Sequence, residues 1–317
     1  MKETVLKAYA KINLSLTVTG RREDGYHNIR SLMQGIGLFD VIKITKCPQN
    51  GTKYNLPHCL IGGVDVYLCT DADTIPVDMS NLAFKGVAAV LDAYDHPVMD
   101  DIIISIDKRL PVSAGIAGGS GNAAVCMLGL NSLLGSPFCL RELMKIGAEV
   151  GADVPFSLMM NARRNASELA SLTGLEEAST AAWTGGIGDI VEPAEPMNRY
   201  VIMANPGIAV STKAAYEGID AIMAEPGYKG VTDEYPLFVN DLESYTLRDY
   251  PQAAQLKAVM QDELDADIVL MSGSGPTMAA YYRDEEKARQ DFCRMKELCS
   301  QRPGWRTWFS STGDSYN

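Results

Sequence analysis

Residues 111–124 read Pro-Val-Ser-Ala-Gly-Ile-Ala-Gly-Gly-Ser-Gly-Asn-Ala-Ala. An apolar run, Ile102-Ile103-Ile104-Ser105-Ile106, leads into them, and a helix-forming run, Ala123 to Leu130, leads out. A glycine-rich segment that opens a helix is a ready anion site. Its first N–H groups have no helical partner, glycine lets the ligand approach closely, and the helix dipole favours negative charge. The phosphate tail of a nucleotide is the anion that suits it best. No Gly-Lys-Ser/Thr follows the glycines and no G-x-G-x-x-G occurs among them, so neither the P-loop nor the dinucleotide fingerprint is present. A plain tight turn between strand and helix would use similar residues, and the loop by itself therefore defines no activity.

Two charged residues elsewhere suit phosphoryl chemistry, which needs positioning, an acceptor oxygen that gives up its proton, and a charge that stabilises the moving group. Lys11 is the one cation in Ala10-Lys11-Ile12-Asn13-Leu14, and period-two alternation puts it on the same strand face as Asn13. Asp153 stands in Gly151-Ala152-Asp153-Val154-Pro155, past a helix end and among small and apolar residues. Partial shielding from water there suits a proton acceptor. Taken singly, a strand lysine usually faces solvent and an aspartate after a helix is usually a turn residue. Tyr26 and His27, in a polar turn, would give a flat base one face to stack on and one polar edge; the plainer reading is an aromatic half-buried at the foot of a loop.

The elements that must hold these residues are legible from pattern. The first 45 residues read as strands, with Gly20 to Gly25 as a polar turn and Asp40 to Ile44 as a further short strand. Residues 46–64 read as a loop or hairpin insertion, broken by Pro48, Asn50-Gly51, Pro57 and Gly62-Gly63. A helix is predicted from about Leu82 to Tyr94 after Asn81. Ser136-Pro137 predicts a helix start, a capping residue followed by proline at the first helical position. Leu140, Leu143, Met144, Gly147 and Val150 share one face of that helix, which should stop at Gly151. Residues 161–180, polar and rich in Ala and Ser, read as a linker or surface insertion. Strands are expected at Tyr200–Ala204, Ile268–Met271 and Met278–Tyr282, and a helix from Asp284 to Leu298. The alternation without a long parallel series indicates an α+β fold in two lobes.

Composition bounds the function classes. A chain of 317 residues favours about two domains. A net charge of −12 argues against a nucleic-acid partner, whose phosphates need basic patches. The seven cysteines are odd in number and form no C-x-x-C, so reduced thiols in a reducing compartment are expected, with Cys126 and Cys139 as small core residues. No hydrophobic leader opens the sequence and no apolar run has the length of a membrane span. A cytoplasmic protein with no membrane partner is the expectation, and Asn165-Ala166-Ser167 then matches a glycosylation acceptor by coincidence.

Residues 8–14 (Ala-Tyr-Ala-Lys-Ile-Asn-Leu), 24–27 (Asp-Gly-Tyr-His), 111–124 and 271–277 (Met-Ser-Gly-Ser-Gly-Pro-Thr) together resemble the GHMP small-molecule kinases, in the family's order and over nearly the whole chain. Gly20 to His27, Gly151 to Pro155 and Asn240-Asp241-Leu242-Glu243 resemble the branch that acts on a cytidine-diphosphate-linked methylerythritol. The resemblance implies a two-lobed GHMP kinase fold: a ribosomal S5 domain 2-like, ATP-binding lobe over residues 1–165 and a ferredoxin-like substrate lobe over 166–317. It implies ATP-dependent phosphorylation of the 2-hydroxyl of the methylerythritol moiety, on the non-mevalonate route to isoprenoid precursors, by a monomer or homodimer. Lys11 and Asp153 would be catalytic. Pro111, Gly115, Ala117, Gly118, Gly119, Ser120, Gly121 and Asn122 would bind ATP, with Ser120 also at Mg²⁺. Asn13, Tyr26, His27, Thr212, Tyr216, Gly273, Ser274 and Gly275 would bind the substrate, and Asn81 begins a segment near the nucleoside. The family usually carries Ser-Ser before the Asn/Asp-Ala-Ala; here the second is Gly121. Another GHMP kinase, acting on homoserine or mevalonate, or a catalytically silent nucleotide-binding paralogue, are the competing readings.

Overall fold

The computed structural model describes residues 1–49, 54–112, 114–224 and 236–313. Asn50, Gly51 and Ser113, named above, lie outside them. The chain divides into two compact units. One comprises Met1–Ala10, Leu38–Val112 and Ala117–Thr180; the other comprises Lys11–Gly37, Ser113–Ile116 and Ala181–Asn317.

Two long strands, β1 (Lys2–Arg21) and β2 (His27–Pro48), pair with each other. The short strand expected at Asp40 to Ile44 is the last part of β2. In the first unit follow β3 (His58–Ile61) and β4 (Val64–Thr70), an antiparallel hairpin. Its turn is Gly62-Gly63, both with φ in the left-handed region (56° and 84°), as a two-residue hairpin turn demands. Helix α1 (Leu82–Ala93) is capped by Asn81, whose side chain accepts from the Ala83 N–H at 2.9 Å. Strand β5 (Asp100–Asp107) pairs parallel to β4 and antiparallel to residues 41–48 of β2. Helices α2 (Gly118–Leu133), α3 (Leu140–Val150) and α4 (Val154–Arg164) complete the unit. Its core joins Ile42, Ile44, Val66, Leu68, Ile102 and Ile104 of the strands to Phe84, Val87, Val125, Leu143 and Leu158 of the helices. Every residue of α2 from Gly121 to Asn131 is buried.

Three expectations fail in this unit. The helix expected at Ser136-Pro137 begins at Leu140 instead, with Cys139 at the cap. Asn131 prevents the earlier start: its side chain donates to the Phe138 carbonyl and accepts from the Phe138 N–H, holding a turn in which Ser136 has φ +58°. The Cys139 N–H is met by Glu142 at 2.8 Å, a capping box, so Cys139 is a half-buried cap rather than a core residue. Residues 161–180 are neither linker nor insertion. The helix α4 carries on to Arg164, and Leu169 and Leu172 enter the core. Two of the polar residues that suggested solvent are bonded inward. The Asn161 Oδ1 accepts from the Tyr9 N–H at 2.8 Å, and Asn165 both accepts from the Lys7 N–H and donates to the Lys7 carbonyl, each at 2.9 Å. With its amide so used and its side chain buried, Asn165 is no glycan acceptor in the folded protein.

In the second unit β6 (Ala181–Gly185) pairs with residues 31–34 of β2 and with β7 (Ile190–Pro193). Then come β8 (Tyr200–Asn205), α5 (Thr212–Met223), α6 (Glu243–Asp249), α7 (Pro251–Glu263), β9 (Ile268–Met271), β10 (Met278–Tyr282), α8 (Glu285–Ser300) and β11 (Arg306–Ser311). The order β11-β8-β10-β9 is antiparallel throughout. With helices between β8 and β9 and between β10 and β11, this is the ferredoxin-like arrangement that the resemblance implies. Ile202, Ile219, Leu256, Met260, Met271, Tyr282, Met295 and Leu298 form its core. Replacement of Asn165 by alanine removes three bonds to backbone, two at Lys7 and one at the Asn161 carbonyl, and should lower the unfolding free energy by about 1–3 kcal/mol, measured by urea denaturation.

Candidate active site

The candidate anion site is a helix start rather than a loop. Helix α2 begins at Gly118, so Gly118, Gly119, Ser120 and Gly121 form its first turn. Ala117 precedes them with φ 55°, and no side chain caps the helix. The Gly121 N–H bonds the Ala117 carbonyl at 2.8 Å, which leaves the preceding N–H groups of the turn without a side-chain cap. The residue that departs from the family pattern has a packing reason. A Cβ on Gly121 would lie 3.0 Å from the Tyr9 carbonyl oxygen, so β1 and α2 approach at that point only because no side chain intervenes. Asn122 is buried and its Oδ1 has no hydrogen-bond partner.

Lys108 and Asp40 were not singled out from sequence. Asp40 is fully buried and accepts three bonds: from the Lys108 ammonium at 2.7 Å, the Arg109 N–H at 2.7 Å and the Leu110 N–H at 2.8 Å. It thereby fixes the turn that joins β5 to Pro111 and holds a cation close to the start of α2, where the Lys108 Nζ lies 3.5 Å from a Cβ built on Gly118. The sequence signal was available: an aspartate between the apolar pairs Leu38-Phe39 and Val41-Ile42, and a lysine two residues after the apolar run at 102–106.

Asp153 occupies the cap position of α4 without capping it through its side chain, and is half-buried. Its carbonyl accepts from the Ser157 N–H and hydroxyl. The same helix is tied to β1 through Asn161 and Asn165, so the backbone beneath Asp153 is fixed by the clamp described above.

In the second unit Lys11 is only 4% exposed and Asn13 1%, so Lys11 does not lie on the solvated face expected of a lone strand lysine. The alternation expected from sequence brings the two together: the Lys11 ammonium donates to Asn13 Oδ1 at 2.8 Å, and Asn13 Nδ2 donates to the Ser31 hydroxyl at 2.8 Å. The Ser272–Thr277 segment connects β9 to β10. It turns through Gly273 (φ 57°) and Gly275 (φ 78°). Gly115, with φ 74°, packs against it, and a Cβ there would collide with the Ser272 carbonyl at 2.3 Å. Thr212 at the start of α5 lies 3.1 Å from Ser274, hydroxyl to hydroxyl. Asn240, quoted above only as part of a motif, donates to the Met271 and Gly273 carbonyls at 2.9 and 2.8 Å and so shapes the same segment.

Tyr26 and His27 part company. The turn at residues 22–26 leaves Tyr26 62% exposed, while His27, at the first position of β2, is 7% exposed. The imidazole stacks on Tyr216 of α5, with centroids 5.1 Å apart and 22° between the planes. Its Nε2 lies 2.6 Å from Asp220. Asn81 is used within its own unit as a helix cap and donates to the Pro76 carbonyl at 2.7 Å.

Asp40→Ala would leave the Lys108 ammonium and two backbone N–H groups buried without their acceptor. The expected loss is about 3–5 kcal/mol of stability, seen as a large fall in Tm, while the isosteric Asp40→Asn should lose less.

Residues 81–161 match the GHMP kinases N terminal domain. The 4-diphosphocytidyl-2-C-methyl-D-erythritol kinase of Lachnoclostridium phytofermentans is 33% identical over 303 residues, 92% of each chain. That of Alkaliphilus oremlandii is 34% identical over 305 residues, again 92% of each. A solved structure of 4-(cytidine 5'-diphospho)-2C-methyl-D-erythritol kinase superposes with a TM-score of 0.70 at 24% identity, covering 97% of this chain and 98% of the other. Homoserine kinase from Cytophaga hutchinsonii gives a TM-score of 0.64 at 15% identity, covering 98% and 95%. The fold is that of the GHMP kinases, and the full-length likeness, together with the buried Lys11–Asn13 pair and the glycine-rich start of α2, makes this chain a member of the 4-diphosphocytidyl-2-C-methyl-D-erythritol kinase family.

Proposed function

We propose that this protein transfers the γ-phosphoryl group of ATP to the 2-hydroxyl of 4-diphosphocytidyl-2-C-methyl-D-erythritol, a step toward isoprenoid precursors. The observation that carries the reading is the likeness, above 30% over nine-tenths of both chains, to relatives that bear that name. The competing kinases of homoserine and mevalonate share the fold but gain no support from the His27–Tyr216 pair, which suits a nucleobase.

The N–H groups at Gly118, Gly119 and Ser120 and the flanking Pro111, Gly115, Ala117, Gly121 and Asn122 hold the nucleotide's phosphates, in an ATP-binding first lobe. Asp153 accepts the proton of the acceptor hydroxyl, which raises the nucleophilicity of that oxygen as the bond to phosphorus forms. Lys11 neutralises charge on the transferred group, and Asn13 holds its ammonium in place. Asn13, Thr212 and the Gly273-Ser274-Gly275 turn contact the acceptor's polyol or phosphates, while Tyr26, His27 and Tyr216 hold its base. Among the described residues no group of three or more His, Cys, Asp or Glu could hold a metal ion. Mg²⁺ would be brought in on the phosphates, since this ion binds few protein carboxylates beside substrate oxygens. When bound it would screen phosphate charge, with the Ser120 hydroxyl as its side-chain contact.

The seven cysteines are free thiols, and among the described residues no helix is long and apolar enough to cross a membrane. Both suit a cytoplasmic enzyme, acting as a monomer or homodimer. Asp153→Asn should lower kcat by about 10²- to 10⁴-fold with ATP affinity retained, measured by a coupled ADP-release assay and by calorimetry. A preference of the wild type for mevalonate or homoserine, or ATP binding without turnover on any of these acceptors, would overturn the reading.

A further inference from the structure

Three side chains gather around the His27 imidazole in the second unit, two on the ring and one behind them. The His27 Nε2 lies 2.6 Å from Asp220 Oδ1, and the other carboxylate oxygen of Asp220 lies 3.3 Å from the Arg21 guanidinium. Tyr216, which stacks on the same ring, precedes Asp220 by four residues on α5. Positions four apart share a helix face. One helix therefore supplies the imidazole with a stacking plane and an edge contact, and Arg21 holds the carboxylate from the far side. A carboxylate only accepts hydrogen bonds, so the proton between this pair is carried by Nε2. Nδ1 is the ring nitrogen that Asp220 does not use.

We infer that Asp220 is a positioning residue that sets base specificity: by keeping the proton on Nε2 it makes Nδ1 an acceptor, matched to the exocyclic amine of cytosine and opposed to the carbonyl that uracil carries there. This rests on the cytidyl-substrate reading above. A site built around one donor or acceptor rejects the ligand that lacks its complement far more strongly than a merely apolar pocket does. Asparagine at 220 keeps the shape but can turn either its oxygen or its amide N–H₂ toward Nε2, so the tautomer is no longer imposed. Glutamate keeps an acceptor-only group.

Ring ¹⁵N shifts of labelled full-length protein, with Nδ1 and Nε2 of His27 assigned by comparison with His27→Gln among the three histidines, read the tautomer directly. Wild type should show a protonated Nε2 and a bare Nδ1, Asp220→Glu should keep that pattern, and Asp220→Asn should lose it. In kinetics, Asp220→Asn should raise KM for the cytidyl substrate about tenfold, with less effect on kcat and none on KM for ATP. The ratio of kcat/KM between the cytidyl substrate and its uridyl analogue should fall by a similar factor, and Asp220→Glu should restore it in part. A protonated Nδ1 in wild type overturns the inference, as does an Asp220→Asn protein with unchanged KM and unchanged discrimination. If wild type phosphorylates neither substrate, the functional reading fails, and the ¹⁵N pattern of the same samples still decides the assignment of Asp220.

Discussion

The backbone of β1 needs hydrogen-bond partners at Lys7 and Tyr9, and it finds them in carboxamides rather than in another strand. Asn161 and Asn165 lie one helical turn apart on α4 and reach the strand at positions two apart. The match of the helix repeat to the strand repeat lets one face of α4 satisfy one edge of β1. Buried peptide groups without partners are costly, so this junction fixes both the depth and the rotation of α4. Asp153 at the first turn of that helix and Gly121 against the Tyr9 carbonyl both depend on where β1 runs.

The second unit applies the same device to the segment between β9 and β10. The Ser272–Thr277 turn has little side chain to pack, and its path is set by bonds to its backbone: Asn240 on two carbonyls, Thr246 on a third, and Ser272 returning to Gly115. The candidate site positions of the unit therefore stand on polar contacts between segments distant in sequence. Such contacts are directional, and they specify one geometry where an apolar contact would tolerate several.

Most of the elements were legible in the sequence because they rest on local rules. The period-two run of β1 placed Lys11 beside Asn13, the breakers at Gly62-Gly63 marked a hairpin, and the spacing of Leu140, Leu143 and Gly147 gave the buried face of α3. The failures share one cause. Ser136-Pro137 has the local chemistry of a helix start, but Asn131 imposes a turn there from five residues upstream. Residues 161–180 have the composition of a surface, but their asparagines face a strand more than 150 residues away. Asp40 and Lys108 escaped notice for the same reason, being 68 residues apart. Polar residues report solvent in a local reading and report tertiary contacts in a folded chain.

Helix α2 carries a run of buried residues from Gly121 to Asn131, while Gly119 just before it is exposed. The exposed end and the buried shaft belong to one rigid element, and the shaft is wedged where small residues admit Tyr9 and Ile44 at close range. Such an element has no room to slide or roll when a ligand arrives. Its open turn is a mould of fixed shape, so a change in the anion it would accept has to come from residues replaced around it, by evolution rather than by motion.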